Sequence, residues 1–220
     1  MASRPLIGLL LLVSSLGAGP GAASAAECVA LDDFSQGRIG EFPPEWKPRK
    51  ESGRPVYSIR EENGRRFLRA IARRIGIQAG REVAWNLETY PILAWSWRPV
   101  EFPTNSDERK SGTNDSALSV YAVFPTSAVS VKSVKYVWSR VVPAGTHLTS
   151  SAGNTQVRVL RSSAQVGRWA DEQVNVREDY QKYFGTSESP KPGGIAVLTD
   201  SDDTKSSAQG DYANFRVCKS

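Results

Sequence analysis

Histidine and cysteine are almost missing from this 220-residue chain, which holds one histidine, His147, and two cysteines, Cys28 and Cys218. Three such residues cannot supply the four ligands of a structural Cys/His zinc site. A serine-type triad would have to use His147 as its base. That residue lies in Gly145-Thr-His-Leu-Thr149, and no nucleophile elbow occurs anywhere in the chain. Long hydrophobic runs are absent as well: nothing approaches the ~20 apolar residues that span a bilayer. No internal repeat is evident. Carboxylate-pair glycoside hydrolysis is the enzyme class this composition leaves open, and it would need two carboxyls facing one cleft.

What is present begins with an address. Arg4 is followed by the short apolar run Leu6-Ile-Gly-Leu-Leu-Leu-Leu-Val13, and Ala23-Ser24-Ala25 follows as a cleavage signal. Residues 1–26 are therefore expected to be a removable signal peptide. Residues 27–220 would then form a single soluble domain, periplasmic or secreted, with no membrane span. Without Arg4 the balance is 27 basic to 23 acidic residues. The basic residues are scattered, except for Arg65, Arg66, Arg69, Arg73 and Arg74, which read either as a solvated strand face or as an anion-binding patch. Export argues against a nucleic-acid partner. In an oxidising compartment Cys28 and Cys218 are expected to pair with each other, since there is no third cysteine.

Ile92 to Val100 organises the rest. Leu93, Trp95 and Trp97 alternate with Ala94, Ser96 and Arg98, which predicts a strand pressed on a core, ending at Pro99 or lying at a sheet edge. Asn63-Gly64 predicts a hairpin between Val56–Glu61 and Arg65–Ala72, in competition with a helical spacing of Phe67, Leu68, Ile71 and Ile75. Further strands are expected at Val83–Leu87, Leu118–Phe124, Val134–Val142, Gln156–Arg161, Ile195–Thr199 and Asp211–Cys218. Asn175 caps one short helix, Val176–Phe184, with Gly185 at its stop. Roughly ten strands and one helix describe an all-β fold, an antiparallel β-sandwich, with a closed barrel as the competing architecture.

The order of short motifs is distinctive. Asp32-Asp33-Phe34, Leu93-Ala-Trp-Ser-Trp97, Asn114-Asp115, Tyr121-Ala-Val-Phe124, Tyr136-Val-Trp138, Asn175-Val-Arg-Glu-Asp-Tyr180, Phe184-Gly185 and Thr199-Asp-Ser-Asp-Asp-Thr204 come in sequence. This pattern resembles an exported bacterial family known only as domain of unknown function 3047, over essentially the whole of residues 27–220. The resemblance implies a jelly-roll sandwich, like carbohydrate-binding modules and galactose-binding-like domains, and no established activity. The chain departs from the pattern at Ser119, where an arginine is expected, and at Asp203, where an asparagine is expected.

Candidate chemistry centres on Asp200, Asp202 and Asp203 with Thr204. Three carboxylates so close repel one another unless a cation or donor groups intervene. They read either as a turn whose side chains satisfy backbone N–H groups or as a Ca²⁺ loop. Asp32 and Asp33 would join them if the first and last strands pair. Asp115 and Lys110, in and beside the loop 103–114, are placed to meet a polar ligand, or to form a solvated pair. The candidate ligand-binding set is Lys110, Asp115, Trp138, Asp200, Asp202 and Thr204. Of the six tryptophans, Trp46 and Trp169 lie in polar, turn-rich stretches and are the best placed for exposure. The leading expectation is a non-catalytic binding module for carbohydrate or another polar envelope component, with no cofactor unless Ca²⁺. A carboxylate-dependent hydrolase using Asp200 or Asp202 with Asp115, and a purely structural envelope protein, are the alternatives.

Overall fold

Asn63 and Gly64 take φ values of 52° and 75°, the left-handed pair a two-residue hairpin turn requires. They join β3 (Tyr57–Glu62) to β4 (Arg65–Arg73), so the strand reading holds there and the helical spacing does not. The computed structural model describes Met1 and residues 27–220. The signal peptide expected at residues 1–26 lies outside the described residues, Met1 apart. The remaining elements are β1 (Cys28–Asp32), β2 (Trp46–Pro48), β5 (Ala79–Glu82), β6 (Ile92–Glu101), β7 (Leu118–Pro125) and β8 (Val131–Ser139). They continue with β9 (His147–Thr149), β10 (Thr155–Ser162), β11 (Ala170–Asn175), α1 (Val176–Phe184), β12 (Gly194–Leu198) and β13 (Ser207–Cys218).

The strands form two sheets. One has six strands in the order β11-β6-β13-β4-β3, with β1 also paired to β13; the other has seven, β2-β5-β12-β7-β8-β10-β9. The chain passes from sheet to sheet at β1 to β2, β2 to β3, β4 to β5, β5 to β6, β6 to β7, β10 to β11 and on both sides of β12, the crossing habit of a jelly-roll sandwich. Pairing is antiparallel with one correction to the expectation. Strands β8 and β10 run parallel, because the chain leaves β8, detours through β9 and returns in the same direction. The chain also carries more strands than its hydrophobic runs announce. The short β2, β5, β9 and β11 lack strong apolar alternation and are held by their neighbours' hydrogen bonds. Conversely, Val83–Leu87 is irregular. Trp85 and Leu87 are buried, but by a loop rather than a strand.

Strand β6 lies inside its sheet, between β11 and β13, and runs on through Pro99 to Glu101. It tolerates Pro99 because β11 pairs only as far as Trp97 and the β13 pairing shifts register beside Gly210. Its aromatic face stitches the two sheets. Trp95 meets Tyr136 of β8 at 5.6 Å between ring centres, and Trp97 meets Trp138 of β8 at 5.8 Å. Each such side chain, fully removed from water, contributes on the order of 2–3 kcal/mol. The helix α1 starts where Asn175 Oδ1 accepts from the Glu178 N–H (3.1 Å) and ends at left-handed Gly185. It packs Tyr180 on Phe124 at 4.6 Å.

The other face of β6 is buried too. Arg98 and Arg69 both clamp the fully buried Asp211 of β13, through Nε contacts of 2.8 Å each, and Arg98 also reaches Glu62 at 2.6 Å. The Trp169 ring covers the Arg98 guanidinium at 4.8 Å. Arg65 lies over the same ring, and Arg66 binds Glu61 and the carbonyls of Ser35 and Gly37. The arginine cluster is therefore largely structural on this face. Cys28 and Cys218 form a disulfide across the β1–β13 pair, with Cα atoms 4.0 Å apart. Among the described residues no helix is long and apolar enough to cross a membrane.

Candidate functional site

Alternation along β7, β8 and β12 decides what the seven-stranded sheet shows to the outside. Val120, Ala122, Tyr136, Trp138, Ile195 and Val197 point into the core. Tyr121, Lys135, Ala196 and Leu198 consequently point out, and Tyr121 sits directly between Lys135 on β8 and Ala196 on β12. Loop 103–117 folds over this face and brings Glu108 to it. The Glu108 carboxylate accepts from Ser139 Oγ (2.6 Å) and Ser116 Oγ (3.2 Å). Together these residues bound a cleft of about 460 Å³, with Tyr121, Lys135 and Glu108 on one side and Leu148, Val157 and Thr149 on the other.

The electrostatics of the cleft are unusual for a surface. Burial raises the Glu108 carboxyl above its ordinary value, against the Ser139 hydrogen bond and the Lys135 charge. Burial would lower Lys135, but the Tyr121 hydroxyl and the Asp200 and Glu108 carboxylates outweigh it and keep the ammonium charged. The Lys135 Nζ stands 5.7 Å from the Tyr121 ring centre. Asp200 follows β12 by two residues, on the outward side of the alternation. Its burial, and then the adjoining Asp202 and Asp115, push its carboxyl up to about 7 against the pull of Lys135.

Behind the cleft, three of the expected residues do meet. One carboxylate oxygen from each of Asp115, Asp200 and Asp202 lies within 4.8 Å of the others. They meet because β7 and β12 are antiparallel neighbours, so the start of one lies beside the end of the other. Thr204 belongs here too: its N–H and hydroxyl donate to Asp115 Oδ2 at 2.8 and 2.5 Å.

The other candidates go elsewhere. Asp203 offers its backbone N–H to Asp115 Oδ1 (3.2 Å), and its exposed side chain is outside the carboxylate group. Lys110 pairs with Asp107 at 3.5 Å rather than with Asp115. Trp138 shares the core-facing side of β8 with Tyr136, so its ring packs on Trp97 and takes no part in the cleft. Asp32 and Asp33 do not join the acidic loop. Asp32 pairs with Phe215, eight residues along β13 from Ser207 and so roughly 25 Å away, where it binds Trp46 Nε1 at 2.6 Å. Trp46 is buried and Trp169 half-buried. His147 stacks on Tyr183 at 4.2 Å and meets Gln156 Oε1 at 2.8 Å, an arrangement with no nucleophile in it.

Reasoning from sequence missed Glu108, Tyr121 and Lys135. A signal existed for Lys135: it interrupts Val134-Lys-Tyr-Val-Trp138, and period two sets it opposite the aromatic pair. Nothing separates Glu108 from Asp107, Arg109 and Lys110 in its polar loop.

Residues 44–216 match the family model described as protein of unknown function DUF3047. The chain belongs to this family. Both cysteines fall outside the matched residues. No curated protein matches the sequence. Among solved structures, this DUF3047 domain is similar to the winged bean acidic lectin, at 10% identity over 88% of this chain and 100% of that one, with a TM-score of 0.49. It is also similar to the endoglucanase 3 of Trichoderma harzianum, from family GH12, at 9% identity, 90% and 100% coverage and a TM-score of 0.43. A third is the non-crystalline cellulose-specific carbohydrate-binding module CBM28, at 11% identity, 80% and 89% coverage and a TM-score of 0.41. The architecture of the DUF3047 domain rests on its own strand pairings and not on these likenesses.

Proposed function

We propose that this chain is an exported, non-catalytic binding module for carbohydrate or a comparably hydroxylated envelope component, held in the outer cleft of the seven-stranded sheet. The observation that carries the reading is the composition of that cleft. An aromatic ring, Tyr121, and a short aliphatic wall, Leu148 and Val157, adjoin a charged donor, Lys135, and a carboxylate acceptor, Glu108, with Ser111, Asn114 and Thr149 also lining it. Polyols need this combination: C–H faces rest on apolar surface while hydroxyls exchange hydrogen bonds with fixed polar groups. The signal-peptide-like sequence of residues 1–26 and the Cys28–Cys218 disulfide support placement in an oxidising compartment.

A second reading, a carboxylate-dependent hydrolase, is favoured by one observation: Glu108 and Asp200 both hold their protons above the ordinary carboxylate range beside one lysine. Against it, Asp200 is 8% exposed and both Glu108 oxygens are occupied by serine hydroxyls. A glycan array and calorimetric titration of residues 27–220 decide between the readings. Saturable binding without release of reducing ends is expected, weakened at least tenfold in Tyr121→Ala and in Lys135→Ala. Reducing sugar released by the parent and not by Glu108→Gln would establish the hydrolase instead. No binding to any glycan would end the carbohydrate reading.

A further inference from the structure

One oxygen from each of the Asp115, Asp200 and Asp202 carboxylates lies within 4.8 Å of the others, and the Lys135 ammonium acts on Asp200 from the cleft side. Fully ionised, the three carboxylates would face one positive charge and stand two charges short of neutrality, and without a cation the proton held on Asp200 is what relieves them. Clustered acids alone would not single out a ligand, but two further features do. Asp200 is 8% exposed, and its buried Oδ1 has no hydrogen-bond partner among the described residues. A buried carboxylate oxygen left unmet costs of the order of kcal/mol, so structures supply it with a donor or a cation. The second feature is Gly76. A Cβ there would stand 2.0 Å from Asp200 Oδ1 and 3.1 Å from Asp202 Oδ1, so only a glycine lets these two carboxylates lie against this stretch of backbone.

Asp115, meanwhile, is held rigidly by the Asp203 and Thr204 N–H groups and the Thr204 hydroxyl, which fixes one ligand of the set before anything binds. We propose that Asp115, Asp200 and Asp202 bind a calcium ion. Calcium takes oxygen ligands at 2.3–2.6 Å in adaptable geometry, and oxygens that all lie within 4.8 Å of one another can share one such ion. Magnesium demands near-ideal octahedral geometry and dehydrates reluctantly, so it is usually held through one or two carboxylates with several waters rather than by three protein carboxylates. One dication neutralises the three carboxylates together with Lys135. It also ties loop 199–206 to the start of β7 and takes over the Asp200 charge, leaving Lys135 directed at the cleft. The inference holds whatever ligand the cleft takes.

The test uses residues 27–220 stripped with EDTA and titrated with CaCl₂ or MgCl₂ by calorimetry and thermal denaturation. One saturable Ca²⁺ site is expected, at least tenfold tighter than for Mg²⁺. At hundredfold excess over Kd the midpoint should rise by about 5–10 °C. Asp202→Asn, at a partly exposed position, should weaken binding at least tenfold with an unchanged circular-dichroism spectrum. Gly76→Ala should do the same by pushing the Asp200 carboxylate out of place, whereas Asp203→Asn should bind as the parent does. Calcium that gives no heat and no change in midpoint would overturn the proposal. So would an Asp202→Asn variant that binds like the parent. A metal-free midpoint that rises in Asp202→Asn, with no calcium response in the parent, would mean a proton shared between Asp200 and Asp202 in place of a metal.

Discussion

The outer faces of the two sheets treat buried charge in opposite ways. On the six-stranded sheet, Asp211 is fully buried yet meets Arg98 and Arg69 at 2.7–2.9 Å, and Trp169 and Phe67 cover the guanidinium groups. The charges of this cluster face opposite charges, Arg98 Nη2 included, which makes no regular hydrogen bond but lies 2.7 Å from Asp211 Oδ2, and the result is architecture. On the seven-stranded sheet, Glu108 and Asp200 hold their protons too tightly, and Asp200 keeps an oxygen with no partner. Burial of charge is common to both faces, so it does not mark a site. Incomplete compensation does.

The closed face can be broken hardest through its covalent edge. Replacing Cys28 and Cys218 by alanine frees a loop of 190 residues, and chain-entropy arithmetic puts the loss at up to about 5 kcal/mol. Urea denaturation should show that loss as a lower midpoint while calcium and glycan binding in the cleft persist.

Next in size is Asp211→Asn. Two arginines would lose their shared counter-charge in a dry layer, at a cost of about 3–5 kcal/mol. If the faces differ as described, this variant, measured by chemical denaturation, falls in stability but titrates the cleft normally. A stability loss below 1 kcal/mol would remove the contrast between the faces.

The smallest effect comes from the open face and has the opposite sign. Glu108 has its carboxyl raised above 4.5 by burial, so the folded chain keeps that proton to higher pH than the unfolded one. Its contribution to stability is present below pH 4.5 and is lost as pH rises through the raised value. Glu108→Gln should therefore gain stability over the parent as pH climbs through that window. Melting curves at pH steps from 4 to 8 check it; a gap that does not widen with pH would mean that burial does not govern this carboxyl.

The fold was largely legible because period-two alternation and turn chemistry act locally. Trp95 and Trp97, Asn63-Gly64 and the Asn175 cap are each readable within a few residues. The strands β2, β5, β9 and β11 were not, since their existence depends on partners far along the chain. The same division runs through the site. Asp115, Asp200, Asp202 and Thr204 come together as the acidic run foreshadows. The cleft needs Glu108 from a loop, Tyr121 from β7 and Lys135 from β8, and only the sheet's register brings those three to one place. Lys110 is drawn to the nearer Asp107, and Asp203 meets Asp115 through its backbone N–H while its exposed side chain stays outside the cluster.

The bond between Cys28 and Cys218 makes residues 28–218 a closed loop of covalent bonds, with Glu27 and Lys219 tied beside it by a 2.8 Å ion pair. A loop cut once is still one piece. A protease that clips the turn at 126–130, where Val129 stands fully in solvent, opens the backbone without freeing either half. The clipped molecule runs as a single species until a reductant reaches the disulfide. In an environment rich in peptidases and poor in thiols, the domain survives its first cut.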